Sequence, residues 1–333
     1  MKAVVTGGAG FLGRAICERL AARGDEVLSL SRGAHPELAG ETGIEHRAVD
    51  VSDGSAVLTA LAGADVVFHV AAKAGVWGPR EDYFRTNLDG TRHVLAACME
   101  HRIPRLVQTS SPSVCFDGSD HVHAGNDLVY PRRFLAAYPE SKARAEALVL
   151  AANGTGGLAT CALRPHLIFG PRDPHLVPRL LERARAGQLR IVGSGTNEVS
   201  MTYVDNAAHA HLCAADVLSP SAPHAGKAYF INQEEPVRLW EWMNDLLERL
   251  GEPRVTRRVP ARVAYAAGGL FEAIYRGLRL SGEPRMTRFV AAQLASSHSY
   301  DMTPAKRDFG YTELVGMEEA TERTVQDLVT GTR

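Results

Sequence analysis

A short apolar run, Ala3-Val4-Val5-Thr6, leads directly into Gly7-Gly8-Ala9-Gly10-Phe11-Leu12-Gly13, after which Leu12, Ile16 and Leu20 recur at helical spacing. This strand–turn–helix restricts the fold more than any other feature of the chain. Gly7, Gly10 and Gly13 follow a Gly-x2-Gly-x2-Gly pattern. The first permits a tight turn, the second lets the backbone approach a pyrophosphate, and the third lets helix pack on strand. The helix N-terminus then faces the phosphates. A dinucleotide is the expected ligand, and an α/β Rossmann fold, a doubly wound parallel sheet, is the expected framework.

The following segments repeat the alternation. Glu26–Leu30 reads as the second strand, Ala48–Val51 as the end of the third, Asp65–Ala72 as the fourth with a small-residue turn, and Leu106–Ser111 as the fifth. Helix-period stretches such as Leu58/Leu61 and Val94/Leu95/Cys98 lie between them. Strands alternating with helices imply a parallel sheet. NAD-selective sites usually carry an acid at the end of the second strand. Here the sequence is Ser31-Arg32-Gly33. An arginine fork suits a 2′-phosphate, so NADP(H) is expected over NAD(H). Asp50 is placed for the adenine edge.

Tyr138 and Lys142 stand four residues apart in Ala-Tyr-Pro-Glu-Ser-Lys. On a helix these positions share a face. The ammonium is therefore expected to draw the phenol pKa down from about 10, toward the range of an acid/base catalyst.

With these motifs in place, the chain resembles the extended short-chain dehydrogenase/reductase superfamily nearly end to end. The likeness rests on Thr6–Gly13, Ala71-Ala72-Lys73, Asn87, Thr109–Val114, Tyr138-x3-Lys142, Leu163–Pro171 and Tyr203–Asn206. Its closest branch holds 3β-hydroxysteroid dehydrogenases, sterol-4α-carboxylate 3-dehydrogenases and bacterial 2-alkyl-3-oxoalkanoate reductases. Residues 71–78 and 175–180 look most like the last group. The resemblance implies Ser111, Tyr138 and Lys142 as catalytic residues with Asn87 in a proton relay, although Ser110 and Ser113 are alternatives to Ser111. It implies cofactor contacts from Gly7, Gly10, Phe11, Leu12, Gly13, Ser31, Arg32, Asp50, Val51, Ala71, Ala72, Lys73, Thr109, Tyr138, Lys142, Pro165 and Ile168. Trp77, His166 and His175 are candidate substrate contacts, and Lys73, Arg172 and His175 are candidates for meeting a carboxylate.

A chain of 333 residues suits two parts. The expected division is a dinucleotide-binding domain at 1–165, with contributions from about 195–230, and a smaller mixed α/β substrate domain at 166–333. An apolar lining from Trp77, Phe116, Leu176, Tyr265, Leu270 and Phe271 suits a lipophilic substrate, either a β-keto acid or a 3β-hydroxysteroid. A net charge of −1 with scattered arginines excludes a nucleic-acid partner. Cysteines 17, 98, 115, 161 and 213 form no short-spaced pair and read as reduced, cytoplasmic residues. A strand starting at residue 2 leaves no room for a secretion signal.

No metal site is expected. His209 and His211 diverge on a helix, and His121-Val-His123 reads as a solvated loop. Residues 255–290 form an apolar, arginine-flanked stretch too short to span a membrane. Packing on the substrate domain is its simplest role, and contact with a membrane surface is the alternative. A homodimer is expected through 83–101 and 138–152, with Leu88, Val94, Leu95, Leu148 and Val149 as apolar surface.

Two other functions compete. A sugar-nucleotide epimerase or dehydratase would usually carry an arginine four residues before Tyr203, where this chain has Val199, and an asparagine near Arg164-Pro165-His166. A non-catalytic NADP sensor would commonly lose the tyrosine that is kept here. A hydroxy/keto oxidoreductase is the reading these residues favour.

Overall fold

The computed structural model describes residues 1–36, 38 and 43–331. Along the chain, β1 (Lys2–Thr6), β2 (Glu26–Ser31), β3 (Glu45–Ala48), β4 (Val66–His69) and β5 (Arg105–Thr109) are followed by β6 (His121–Ala124), β7 (Ala159–Pro165) and β8 (Ile168–Phe169). Then come β9 (Ile191–Val192), β10 (Glu198–Val199), β11 (Thr202–Tyr203), β12 (Ala228–Ile231), β13 (Val237–Arg238), β14 (Arg258–Val259) and β15 (His298–Tyr300).

Seven strands form one sheet in the order β12-β7-β5-β4-β1-β2-β3, and every neighbouring pair is parallel. The inner strands are apolar on both faces because helices cover both sides, as a parallel sheet requires. Helix Phe11–Ala22 buries Leu12, Ile16 and Leu20 on one face. Helices Gly54–Ala60 and Gly90–Glu100 bury Val57, Val94 and Leu95 on the other. The order of strands reverses between β1 and β4, and such a switch point opens a crevice at the strands' carboxyl ends.

A second, four-stranded sheet has the order β13-β10-β15-β6. The expectation of a solvated loop at 121–123 is corrected here. These residues form β6, paired in parallel with β15, and His121 is buried. The third strand also ends at Ala48 rather than continuing to Val51. Leu88, Val94, Leu95 and Val149 are buried in the chain's own core, which removes them from the apolar surface expected of a dimer face.

The apolar stretch forms helix Ala261–Gly277, which buries Ala264, Gly268 and Glu272. Among the described residues, no helix is long and apolar enough to cross a membrane, and no cluster of side chains could hold a metal ion.

Candidate active site

A cavity of about 530 Å³ runs along the switch point. Its walls take in Gly7, Gly10, Phe11, Leu12 and Gly13 after β1, Ser31 and Arg32 after β2, and Asp50 and Val51 after β3. Ala71 and Ala72 after β4, Thr109 to Ser111 after β5, and Pro165 to Ile168 after β7 continue it. Tyr138, Lys142, Asp173, His175, Phe289 and Gln293 complete the enclosure.

The glycine turn has the shape a dinucleotide needs. Gly7 has φ +72°, and a β-carbon there would stand 2.8 Å from the Ala71 nitrogen. A β-carbon on Gly13 would stand 2.0 Å from the Gly7 carbonyl oxygen. Bare backbone therefore brings the ends of β1 and β4 and the helix start together. Helix Phe11–Ala22 begins at Gly10 without a side-chain cap, so its first N–H groups remain available for an anion. These features fit a dinucleotide pyrophosphate. At the adenosine end Arg32 is exposed. The Asp50 carboxylate accepts from the Ser52 backbone N–H (2.9 Å) and hydroxyl (2.8 Å).

At the other end, Tyr138 lies in the first turn of helix Ala137–Ala151. Its phenol pKa is raised, first because burial disfavours the phenolate, with a hydrogen bond to Ser111 opposing. The lowering by Lys142 expected from spacing does not appear, because the lysine's Nζ donates to the Thr109 carbonyl (2.5 Å). Lys142 is pushed down to about 8, chiefly by burial, with Glu146 one turn on opposing. Ser111 Oγ lies 2.9 Å from Ser113 Oγ. Of the three candidate serines, Ser111 is the one that reaches Tyr138.

Other candidates fall elsewhere. The buried Asn87 Oδ1 accepts from the Lys73 backbone N–H (2.7 Å), while Nδ2 donates to the Lys73 carbonyl (3.2 Å) and to Ser141 Oγ (2.9 Å). It therefore ties the 71–78 loop to the Tyr138 helix from within the π-helical turn Phe84–Asp89. Lys73 Nζ pairs with Asp82 (2.8 Å). Arg172 is bidentate on Glu18, at 2.8 Å for each bond, and so is removed as a carboxylate ligand. Trp77 packs edge-on against Tyr275 (6.2 Å). Phe116 packs against Phe289 and His298, and Leu270 is 60% exposed. None of these three joins the cavity wall, whereas His166 and His175 do.

Sequence reasoning missed two buried histidines that hold the strand ends. Thr91 Oγ1 donates to the Asn87 carbonyl (2.6 Å), so it accepts from His69 Nε2–H (2.9 Å). His69 Nδ1 then accepts from Thr6 Oγ1 (2.8 Å). Burial pushes this imidazole down to about 3, which keeps it neutral. His211 Nδ1–H donates to the Ala207 carbonyl (2.7 Å), and its Nε2 accepts from Thr109 Oγ1 (2.8 Å). In sequence both look like polar interruptions of apolar elements, and no local signal marks them.

The crevice, the glycine turn and the Ser111–Tyr138–Lys142 grouping define a dinucleotide-dependent oxidoreductase fold of the short-chain dehydrogenase/reductase type. A family profile described as the 3-beta hydroxysteroid dehydrogenase/isomerase family matches residues 4–260, and the chain belongs to that family. It is 49% identical over 325 residues to a 2-alkyl-3-oxoalkanoate reductase of Stenotrophomonas maltophilia, covering 97% of this chain and 98% of that protein. It is 36% identical over 332 residues to a decarboxylating sterol-4-alpha-carboxylate 3-dehydrogenase of Mus musculus, covering 98% and 90%. The solved structure of MoeE5 in complex with UDP-glucose and NAD superposes with a TM-score of 0.78 at 23% identity, over 100% of both chains, and shares the fold. The protein is an oxidoreductase that interconverts a ketone and a secondary alcohol.

Proposed function

We propose that this chain reduces the ketone of a 2-alkyl-3-oxoalkanoate with NADPH. The observation that carries the reading is the single cavity joining the glycine turn to Ser111, Tyr138 and Lys142. The nicotinamide supplies the hydride when bound. Tyr138 donates the proton that the forming alkoxide takes up, Ser111 orients that oxygen, and Lys142 holds positive charge and the nicotinamide ribose nearby. The raised phenol pKa keeps the proton in place for reduction. Arg32 faces a 2′-phosphate, with no acid at the end of β2 to favour a ribose hydroxyl.

Residues 1–165, with part of 195–230, form the cofactor half, and the remainder forms the substrate half. A 3β-hydroxysteroid is the second reading, favoured by the likeness to the sterol enzyme. The same proposal includes a cytoplasmic homodimer and a peripheral membrane contact through the exposed Val263, Leu270 and Leu278, tested by light scattering and vesicle flotation.

The deciding experiment screens NADPH consumption on 3-oxo acids of rising chain length beside NADP⁺ reduction on 3β-hydroxysteroids. Tyr138→Phe is expected to lower turnover by about 10²–10⁴ while cofactor still binds. Activity confined to sugar nucleotides, or near-full turnover in the variant, refutes the reading.

A further inference from the structure

One histidine of the cavity wall, His166, is backed by two more, His298 and His121. His166 follows β7, His298 lies on β15 and His121 on β6. All three are buried. His166 Nε2 lies 2.6 Å from His298 Nδ1, and His298 Nε2 lies 2.9 Å from the Gln293 carbonyl oxygen. Burial lowers the pKa of His298 to about 4 and takes that of His166 well below its ordinary value, with His298 and His121 adding to the effect on His166. Both rings are therefore neutral.

The protons of this pair can be assigned by elimination. A carbonyl oxygen only accepts, so His298 Nε2 carries the hydrogen. A neutral imidazole has one N–H, so His298 Nδ1 is a lone pair. The short contact then requires His166 Nε2 to be the donor. That leaves His166 Nδ1 as a lone pair, with no partner in the protein among the described residues. It is absent from the buried unpaired polar atoms, and His166 lines the cavity beside Pro165, Phe289 and Gln293.

We propose that His166 is a fixed hydrogen-bond acceptor of the cavity, which reads an O–H or N–H donor on a bound ligand and gives a carboxylate nothing to bind. The inference rests on the reading of this cavity as the cofactor and substrate site. It makes His166 a specificity-determining residue. A carboxylate, itself an acceptor, meets a lone pair here. An anionic end of a substrate must then lie away from His166. Two donors are available to it, the carboxamide N–H of the nicotinamide and the hydroxyl of the alcohol form of the substrate.

The test begins with the full chain carrying ¹⁵N-labelled histidine, observed by long-range ¹H–¹⁵N correlation at pH 7, with the His166 signals assigned from the spectrum of His166→Asn. The expected result is a neutral ring protonated on Nε2. An Nδ1–H tautomer or an imidazolium overturns the proposal without reference to any activity. NADP⁺ is then added alone, and afterwards together with a 3-hydroxy acid or a 3β-hydroxysteroid. A shift of the bare Nδ1 toward lower frequency with NADP⁺ alone assigns the carboxamide as donor, and a shift only with the alcohol assigns the hydroxyl. No shift with NADP⁺ alone, and none with an alcohol that the enzyme is shown to oxidise, overturns the acceptor role.

In the arm that responds, His166→Leu is expected to weaken binding about tenfold. His166→Asn keeps an acceptor oxygen near the position of Nδ1 and is expected to restore most of that loss. Equal behaviour of the two variants overturns the proposal. If the substrate class is wrong but this inference is right, the tautomer remains as assigned while the alcohol arm alone is silent.

Discussion

Glu146 and Arg164 form a fully buried ion pair directly behind the site, and its removal tests the energetics of the fold most sharply. Arg164 Nε donates to Glu146 Oε2 (2.9 Å) and Nη2 to Oε1 (2.6 Å), and the Tyr130 hydroxyl adds a third bond to Oε1 (2.7 Å). The side chains are 4% and 0% exposed, so little water is at hand to replace a lost partner. Burial alone would raise the Glu146 pKa, but the bonds and charge of Arg164 hold it below the ordinary carboxylate value. Arg164→Met strands a carboxylate, and Glu146→Leu strands a guanidinium, each at a cost of about 3–5 kcal/mol. The double variant strands neither charge. Its methionine lies where the guanidinium now stands 5.0 Å from the Phe230 ring centroid, and its loss should be about 2 kcal/mol or less. Urea unfolding of the four proteins, read from midpoints at a shared slope, measures the coupling. The sign of the pH effect supplies an internal control. Because the folded pKa of Glu146 is lowered, its stabilisation is present above the unfolded value and is lost as pH falls. The penalty of Arg164→Met should therefore shrink from pH 7 toward pH 4. A double variant whose loss equals the sum of the two singles refutes the reasoning.

Three further outcomes are expected. Arg32→Ala should weaken NADP(H) by about 10–100-fold, the worth of charged hydrogen bonds, with NAD(H) nearly unchanged in fluorescence titrations; equal losses for both cofactors contradict the 2′-phosphate role. Gly13→Ala should abolish cofactor binding, since its new methyl would stand 2.0 Å from the Gly7 carbonyl oxygen; wild-type titration curves would contradict this. Lys142 has its folded pKa depressed from 10.5 to about 8, so the folded state sheds this proton before the unfolded chain does. Between pH 8 and 10.5 the cofactor-free protein should gain up to about 3 kcal/mol relative to Lys142→Met, and parallel unfolding curves would exclude so large a depression.

The parts legible in the sequence are those in which a local pattern decides the outcome. The glycine turn, the apolar strands and the Tyr138–Lys142 spacing all act within a few residues, and the structure carries them at the expected places in the chain, save that the polar third strand ends at Ala48. The parts that were not legible depend on distant partners. His121 reads as solvated because nothing nearby shows that β6 will pair with β15. Leu88 and Val94 have the composition of an interface, but a helix does not state which of its faces will meet its own sheet. Lys73, Arg172 and Trp77 sit in or beside loops near the site. Their side chains turn away because Asp82, Glu18 and Tyr275 offer closer partners. Even the spacing of Tyr138 and Lys142 predicts neighbourhood and not electrostatics, because the Thr109 carbonyl, on another element, claims the ammonium.

That competition for protons explains how the site is organised. His69, His211 and His298 are each held in one tautomer through a chain that ends on a backbone carbonyl, at Asn87, Ala207 and Gln293 respectively. A carbonyl cannot change role, so these imidazoles cannot exchange donor for acceptor without breaking a buried bond. The hydroxyls of Ser111 and Ser113 differ, since either can donate to the other, and the Tyr138 phenol belongs to the same group through Ser111. The cavity thus sets rotatable hydroxyls within a frame of protons that cannot move. Fixed dipoles of this kind need no reorganisation while charge develops on a reacting oxygen. The groups whose donors can turn, Ser111, Ser113 and Tyr138, all line the cavity, so on the proposed reading the proton that travels falls to them.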